Sequence, residues 1–227
     1  MKQLLTSLGI LIVFAVNSQD KREFIFNSSQ SESISIDVSF PNIVLKTWDK
    51  DEVKITARIN INDGLNDDLF EMKSENRGSE LVITSEIKDL DHLRKKSKRN
   101  TINYAEGDDS KISDNGNEID IELEIYVPAK KALSIDAEFG MVEILELPNK
   151  VAVFAKFGGA DLNIIESKLG SLEASSSWGQ IYSNLTSDID FSGDDMLGKR
   201  MTASIEKGSG KSLSVKSDFG NVYLRKN

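Results

Sequence analysis

One phrase, an aromatic residue followed by glycine, interrupts a strict apolar/polar alternation four times in the second half of this chain, always in the same register. Aligned on the glycine, Leu133, Ile135, Ala137, Phe139, Gly140, Val142 and Ile144 match Val151, Val153, Ala155, Phe157, Gly158, Ala160 and Leu162. The same frame fits Leu172, Ala174, Ser176, Trp178, Gly179, Ile181 and Ser183, and again Leu213, Val215, Ser217, Phe219, Gly220, Val222 and Leu224. The aromatics lie 18, 21 and 41 residues apart, so the last gap is close to two periods. A degenerate copy is expected inside it, with Ile189, Phe191 and Gly193, then Ala203 and Ile205. Period-two alternation is the signature of half-buried strands, and a repeat near 20 residues suits one turn of a stacked coil.

The expectation is therefore an all-β, single-domain β-solenoid with coils of about 20 residues, each burying its apolar face against its neighbours. In this reading the aromatic fills the interior at a corner, and the glycine makes the bend through a positive φ. A β-sandwich is the alternative, because its hairpins also give evenly spaced strands. It does not require the same residue types in the same register each time.

The rest of the chain fits the all-β reading. "SISIDVSF" sets Ile34, Ile36, Val38 and Phe40 on one face, and "VKITARINI" does the same with Val53, Ile55, Ala57, Ile59 and Ile61. Residues 19–87 supply N-terminal strands and the first coils, and 119–227 carry the repeat within the same domain. Between them, residues 88–118 hold a basic run, Arg94–Arg99, followed by Glu106, Asp108, Asp109 and Asp114, with few side chains able to fill a core. Such a composition reads as a flexible charged insertion. The acidic run that follows is expected to neutralise the basic one within the loop, although "RKKSKR" alone suits an anionic polymer.

The first 18 residues read as a cleaved export signal. A basic start at Lys2 precedes an apolar run from Leu4 to Val16, with Val16 and Ser18 as small residues before the cut and Gln19 as the new N-terminus. That run, relieved only by Thr6, Ser7 and Gly9, is 13 residues long and falls short of the roughly 20 that span a bilayer. Cleavage removes one of 28 basic residues and none of the 37 acidic ones, deepening a net charge of −9. This balance argues against nucleic acid and anionic lipid as partners. The chain has no cysteine, which excludes disulfides, thiolate metal sites and a lipid on cysteine. An exported chain without disulfides relies on its core, and the roughly 209 remaining residues suffice to build one.

Catalytic chemistry finds little support. The single histidine, His92, falls in the insertion, away from any rigid partner, and neither a zinc set nor a phosphate-binding glycine loop occurs. Paired carboxylates for glycoside hydrolysis would have to come from the outward residues Asp136, Glu138, Glu143, Asp161 and Asp218. Alternation alone explains their placement. "GGADLNI", from Gly158 to Ile164, resembles one calcium-binding glycine-rich turn, but only one copy carries it, so Gly158 and Gly159 are read as the corner. No catalytic, cofactor or metal residue is expected. Outward Met141, Phe154, Tyr182 and Tyr223 are the candidate partner surface, because constant register in a stack can gather such side chains into a stripe.

"SISIDVSFPNIVLKTWDKDEVKI", with a Trp-Asp turn between strands, and the closing "LSVKSDFGNVYLRK" resemble the bacterial putative-adhesin family of unknown function, the DUF4097-type and head-GIN-type β-helical domains. The likeness covers most of residues 30–227, and Pro41 departs from it by standing where the glycine would. It implies an exported or envelope-attached protein, periplasmic or at the cell surface, without established catalytic residues. The function expected is thus a non-catalytic, adhesin-like surface for an envelope protein or glycan. A carbohydrate-active enzyme on the same scaffold and a periplasmic envelope-stress partner are the alternatives. In the native protein, trypsin is expected to cut first between Arg94 and Arg99, as read by mass spectrometry of the first fragments; resistance there would place that run in ordered structure.

Overall fold

The computed structural model describes residues 21–93, 112–114, 117–193 and 200–227. The expected leader and the basic run Arg94–Arg99 lie outside them. The N-terminal strands are β1 (Lys21–Asn27), β2 (Ser33–Val38), β3 (Asn42–Trp48), β4 (Glu52–Ile61), β5 (Phe70–Arg77), β6 (Glu80–Ile87), β7 (Ile112–Asp114) and β8 (Asn117–Pro128). Next come β9 (Ala132–Ala137), β10 (Val142–Ile144), β11 (Lys150–Ala155), β12 (Ala160–Ile164), β13 (Leu169–Ser176) and β14 (Ile181–Ser183). The chain closes with β15 (Asp190–Ser192), β16 (Met201–Glu206), β17 (Lys211–Ser217) and β18 (Val222–Lys226).

These strands form two mixed sheets rather than a closed barrel. One runs β1-β4-β8-β3-β10-β12-β18-β14, with β7 on β8; the other runs β15-β16-β13-β17-β11-β9-β2-β6-β5. Five strand-corner-strand units cross between them: β2–β3, β9–β10, β11–β12, β13–β14 and β17–β18. Within each sheet their strands are parallel and in register. Ile34, Leu133, Val151, Leu213 and Leu172 form one inward row, and Val142, Ala160, Val222 and Ile181 another. All nine are buried in a single core. The glycine-aligned repeat is thus the physical register of the stack.

Stack order departs from chain order. The last unit, β17–β18, lies between β11–β12 and β13–β14, so the sequence is not that of a continuously wound coil. The expected degenerate copy is not a unit either. Its residues lie in or beside β15 and in β16, which pair antiparallel with each other and close the end of one sheet on β13. The segment expected as an insertion is structured at both ends, with a helical turn Leu90–Leu93 whose Leu93 is buried and with β7 paired to β8. His92 falls in that turn. At the β3–β4 turn, Trp48 Nε1 donates to the Glu52 carbonyl at 2.8 Å, and the Lys50 amine lies 4.6 Å from the ring centroid.

The corners require a different explanation from a positive φ, which neither Gly140 nor Gly220 has. A Cβ on Gly140 would lie 1.7 Å from the Pro41 carbonyl oxygen, on Gly158 2.1 Å from that of Gly140, on Gly220 1.2 Å from that of Gly158, and on Gly179 2.1 Å from that of Gly220. Each glycine makes room for the corner stacked beneath it. The β2–β3 unit has no such corner beneath, which is why Pro41 is tolerated there. Hydrogen bonds continue through the turns, from Phe139 N to the Ser39 carbonyl (2.8 Å), Phe157 N to Glu138 (2.8 Å), Phe219 N to Lys156 (2.9 Å) and Trp178 N to Asp218 (2.8 Å). Where serine replaces the inward alanine, Ser217 and Ser176 are buried and accept from Gly220 N and Gly179 N, each at 2.8 Å.

Gly220→Ala should therefore lower stability by about 3 kcal/mol, the upper part of the range for overpacking. Gly78→Ala, whose Cβ meets nothing and costs only the strain of a φ of +65°, should cost about 1 kcal/mol. Urea unfolding of both variants checks this ranking, and equal midpoints would remove the close-approach explanation.

Candidate functional site

The corner aromatics do not fill the interior. Phe40 and Phe139 are half-buried, and exposure then rises along the stack to 43% at Phe157, 52% at Phe219 and 70% at Trp178. Two residues flank the aromatic-glycine pair at each crossing, as Glu138 and Met141 do between Ala137 and Val142. Alternation lapses over that stretch, and the ring turns outward while Ala137, Ala155, Ser217 and Ser176 occupy the inner side. Strands repeat about every 4.8 Å, so identical corners bring identical rings into contact. Phe40, Phe139, Phe157 and Phe219 form a stacked ladder, with centroids 5.5, 5.0 and 5.1 Å apart and planes within 15°.

Two of the four expected surface residues meet. Tyr182 and Tyr223 are register partners on β14 and β18 and stack at 5.2 Å with planes 12° apart. Phe154 lies on the opposite sheet beneath the Lys216 amine, 4.6 Å from its centroid, and Met141 sits exposed at a corner. These two do not join the tyrosines in one stripe. The larger aromatic assembly is the ladder, which a count of outward strand positions misses because its rings belong to corners.

Amides link the two aromatic rows at the β14 end. The Tyr182 hydroxyl donates to Gln180 Oε1 at 2.6 Å, Gln180 N donates to Asn221 Oδ1 at 2.9 Å, and Asn221 Nδ2 donates to the Tyr223 hydroxyl at 3.3 Å. Trp178, Gln180 and Tyr182 thus lie beside Phe219, Asn221 and Tyr223 as two aromatic-amide-aromatic rows. Below them, Arg225 Nε donates to both Asp161 oxygens at 2.6 and 2.8 Å, with its guanidinium 5.2 Å from the Tyr223 ring.

The five candidate carboxylates do not converge. Glu143 and Asp161 lie on the sheet of β10 and β12, whereas Asp136, Glu138 and Asp218 lie on or beside the other. Glu138 pairs with Lys156 at 2.8 Å, and Asp218 with Lys216 at 3.4 Å. Partial burial, then the neighbouring charges of Asp37 and Glu138, hold the Asp136 carboxyl above its ordinary range. A cavity of about 310 Å³ opens at the return turns on the other side of the molecule, lined in part by Leu145, Leu147, Ile165, Leu169, Lys168 and Lys211. Lys211 donates there to the Leu147 carbonyl, its pKa pushed down by burial and by Lys168. The cavity's carboxylate, Glu146, accepts from the Thr47 hydroxyl at 3.1 Å. Among the described residues, no group of three or more His, Cys, Asp or Glu side chains is placed to hold a metal ion. Gly159 is explained by packing, since its Cβ would lie 2.5 Å from the Asn221 carbonyl oxygen.

No family model and no curated protein matches the chain. Among solved structures, a "putative cell adhesion protein" from Clostridium sporogenes is similar in fold, with a TM-score of 0.51 and 13% identity over 92% of this chain and 99% of that one. No helix among the described residues is long and apolar enough to cross a membrane.

The raised Asp136 pKa fixes the sign of a pH effect. A carboxyl that holds its proton more tightly when folded destabilises the fold once ionised, so the penalty is absent at low pH and complete above its folded pKa. Asp136→Asn should therefore raise the thermal midpoint at pH 7 and leave it unchanged near pH 3. An equal shift at both values would show that the cost of ionising Asp136, from burial and from Asp37 and Glu138, is not the cause.

Proposed function

We propose that this protein is an exported, non-catalytic, adhesin-like surface protein that binds neutral glycan of a cell envelope through the aromatic-amide end of its stack. In this reading the five units are coils of a β-solenoid of the DUF4097 or head-GIN type, with one coil placed out of turn. The observation that carries the function is the pair of rings on β13–β14, the unit at the end of the stack. Trp178 is the most exposed of the corner aromatics, and Tyr182 has one face on Tyr223 and ends its own stack. Aromatic faces carry negative potential and attract the polarised C–H bonds of a pyranose face, while amides between them suit its hydroxyls. The hydrogen bonds through Gln180 and Asn221 fix these side chains before a ligand arrives, which lowers the entropic cost of binding. The chain's acidity disfavours an anionic polymer. The adhesion protein of similar fold is compatible with this reading.

The test is co-sedimentation of purified mature protein with isolated envelopes, followed by a reducing-end assay on a polysaccharide panel. Tyr182→Ser/Tyr223→Ser and, separately, Trp178→Ala should each weaken binding about tenfold while circular dichroism stays unchanged. Binding by the parent protein should change little with ionic strength. Sugar release that disappears in Asp136→Asn/Glu138→Gln would replace this reading with an enzyme.

A further inference from the structure

The last unit of the chain is the fourth in the stack, and this position gives it a role that a terminal repeat does not ordinarily have. β17 pairs with β11 on one side and β13 on the other, and β18 likewise joins β12 to β14. Among the described residues, the only other strand paired with β13 is β16, and β14 has no second neighbour. Strands within residues 21–164 and strands within 169–206 therefore form no ladder with each other. Among the described residues, the C-terminal unit alone pairs with strands of both sets, in both sheets.

Its slot is specific. Leu213, Val215 and Ser217 fall in register with Val151, Val153 and Ala155 below and with Leu172, Ala174 and Ser176 above. Gly220 fits against the Gly158 carbonyl, where a Cβ would stand 1.2 Å from the oxygen. The unit is entered through Lys207–Gly210, which crosses the start of β13. Gly208 and Gly210 have φ of +91° and +140°, and Gly170 leaves room for the crossing, since its Cβ would lie 2.7 Å from Gly210 N. Those four residues would span about 13 Å if straightened.

From this we infer that the C-terminal unit, residues 211–227, exchanges between copies of this chain, one copy's β17–β18 filling the slot between β11–β12 and β13–β14 of another. A withdrawn unit leaves two parallel edges in each sheet, and the sequence that matches all of them in register is the same unit of a second copy. Reciprocal exchange gives a closed dimer; one-way exchange gives a linear assembly. The competing outcome is closure of the gap by β13–β14 settling directly on β11–β12. The inference does not depend on glycan binding.

The absence of cysteine makes a trap possible. Ala152 and Ser214 are outward register partners across the β11–β17 seam, so Ala152→Cys/Ser214→Cys reports on the exchange. A folded monomer forms this disulfide within one chain, whereas exchange forms it between chains. The control, Ser134→Cys/Ala152→Cys, bridges β9 and β11 and does not involve the terminal unit. Two mass-tagged full-length preparations of each variant would be mixed, held at the onset of thermal unfolding, cooled, oxidised and run on non-reducing gels. The seam pair is expected to give an interchain fraction that rises roughly tenfold with a tenfold rise in concentration while the yield is low, with the control remaining intrachain. Intrachain product alone at every concentration, or equal interchain product from the control, would overturn the inference. Unmutated protein gives a second reading by size exclusion. It should yield a dimer that survives dilution and reverts only after unfolding, and a strictly monomeric profile after the same treatment would also overturn the inference.

Discussion

Corners of a parallel stack can approach to the spacing of paired strands only where no Cβ stands between their backbones. That constraint is met by Gly140, Gly158, Gly220 and Gly179, each lying over a carbonyl of the corner beneath it, and by Pro41 at the unit with no corner beneath. Much else follows from it. Close corners let the backbone ladder pass through the turns, which keeps all five units in one register. One register aligns the inward residues into continuous rows and the outward aromatics into a ladder.

These consequences differ in energetic weight. Each buried Leu, Ile or Val contributes about 1.5–3 kcal/mol, and each aromatic contact about 0.5–1.5 kcal/mol beyond its area. Two inward aliphatic side chains thus match the three contacts of the phenylalanine ladder. Surface pairs such as Arg58–Glu122 add less than about 1 kcal/mol each. The fold is held by its core, and the exposed rings Phe157 and Phe219, with Trp178 at the next corner, are not needed to hold it. Exposed rings that stability does not require are free to serve a partner.

Sequence periodicity carried the register because inward positions and corner glycines are local properties of each strand. The glycine-aligned repeat places Leu133, Val151, Leu172 and Leu213 in one row, as the sheets do. It misplaced the aromatics because alternation stops predicting direction where the chain turns. It missed the stacking order for a different reason. All units present equivalent inward faces in an equivalent frame, so nothing local records which unit lies beside which. The order depends on the connections, above all on the glycine-rich crossing at Lys207–Gly210. Of the candidate surface, the Tyr182–Tyr223 pair was legible because both stand at the same outward position of the repeat. Phe154 was separated from them because it belongs to the other sheet.

The order of the units also decides which ring faces outward at the end of the ladder. Stacked in chain order, β17–β18 would be terminal, with Phe219 and Tyr223 as the last rings and Trp178 between two phenylalanine corners. Interposing the last unit moves β13–β14 to the end, so that Trp178 and Tyr182 become the outermost rings of their rows. Among the described residues, the sheet containing β13 is continued by β16 and β15, while the sheet containing β14 stops. The stack is therefore capped on one side and open on the side that carries Tyr182. A three-residue edge such as β14 offers little backbone for another strand to pair with, which lowers the risk of edge-to-edge aggregation. What it offers instead is side chains, so the topology that sets the C-terminal unit between two others also leaves Trp178 and Tyr182 outermost, where the proposed glycan would meet them.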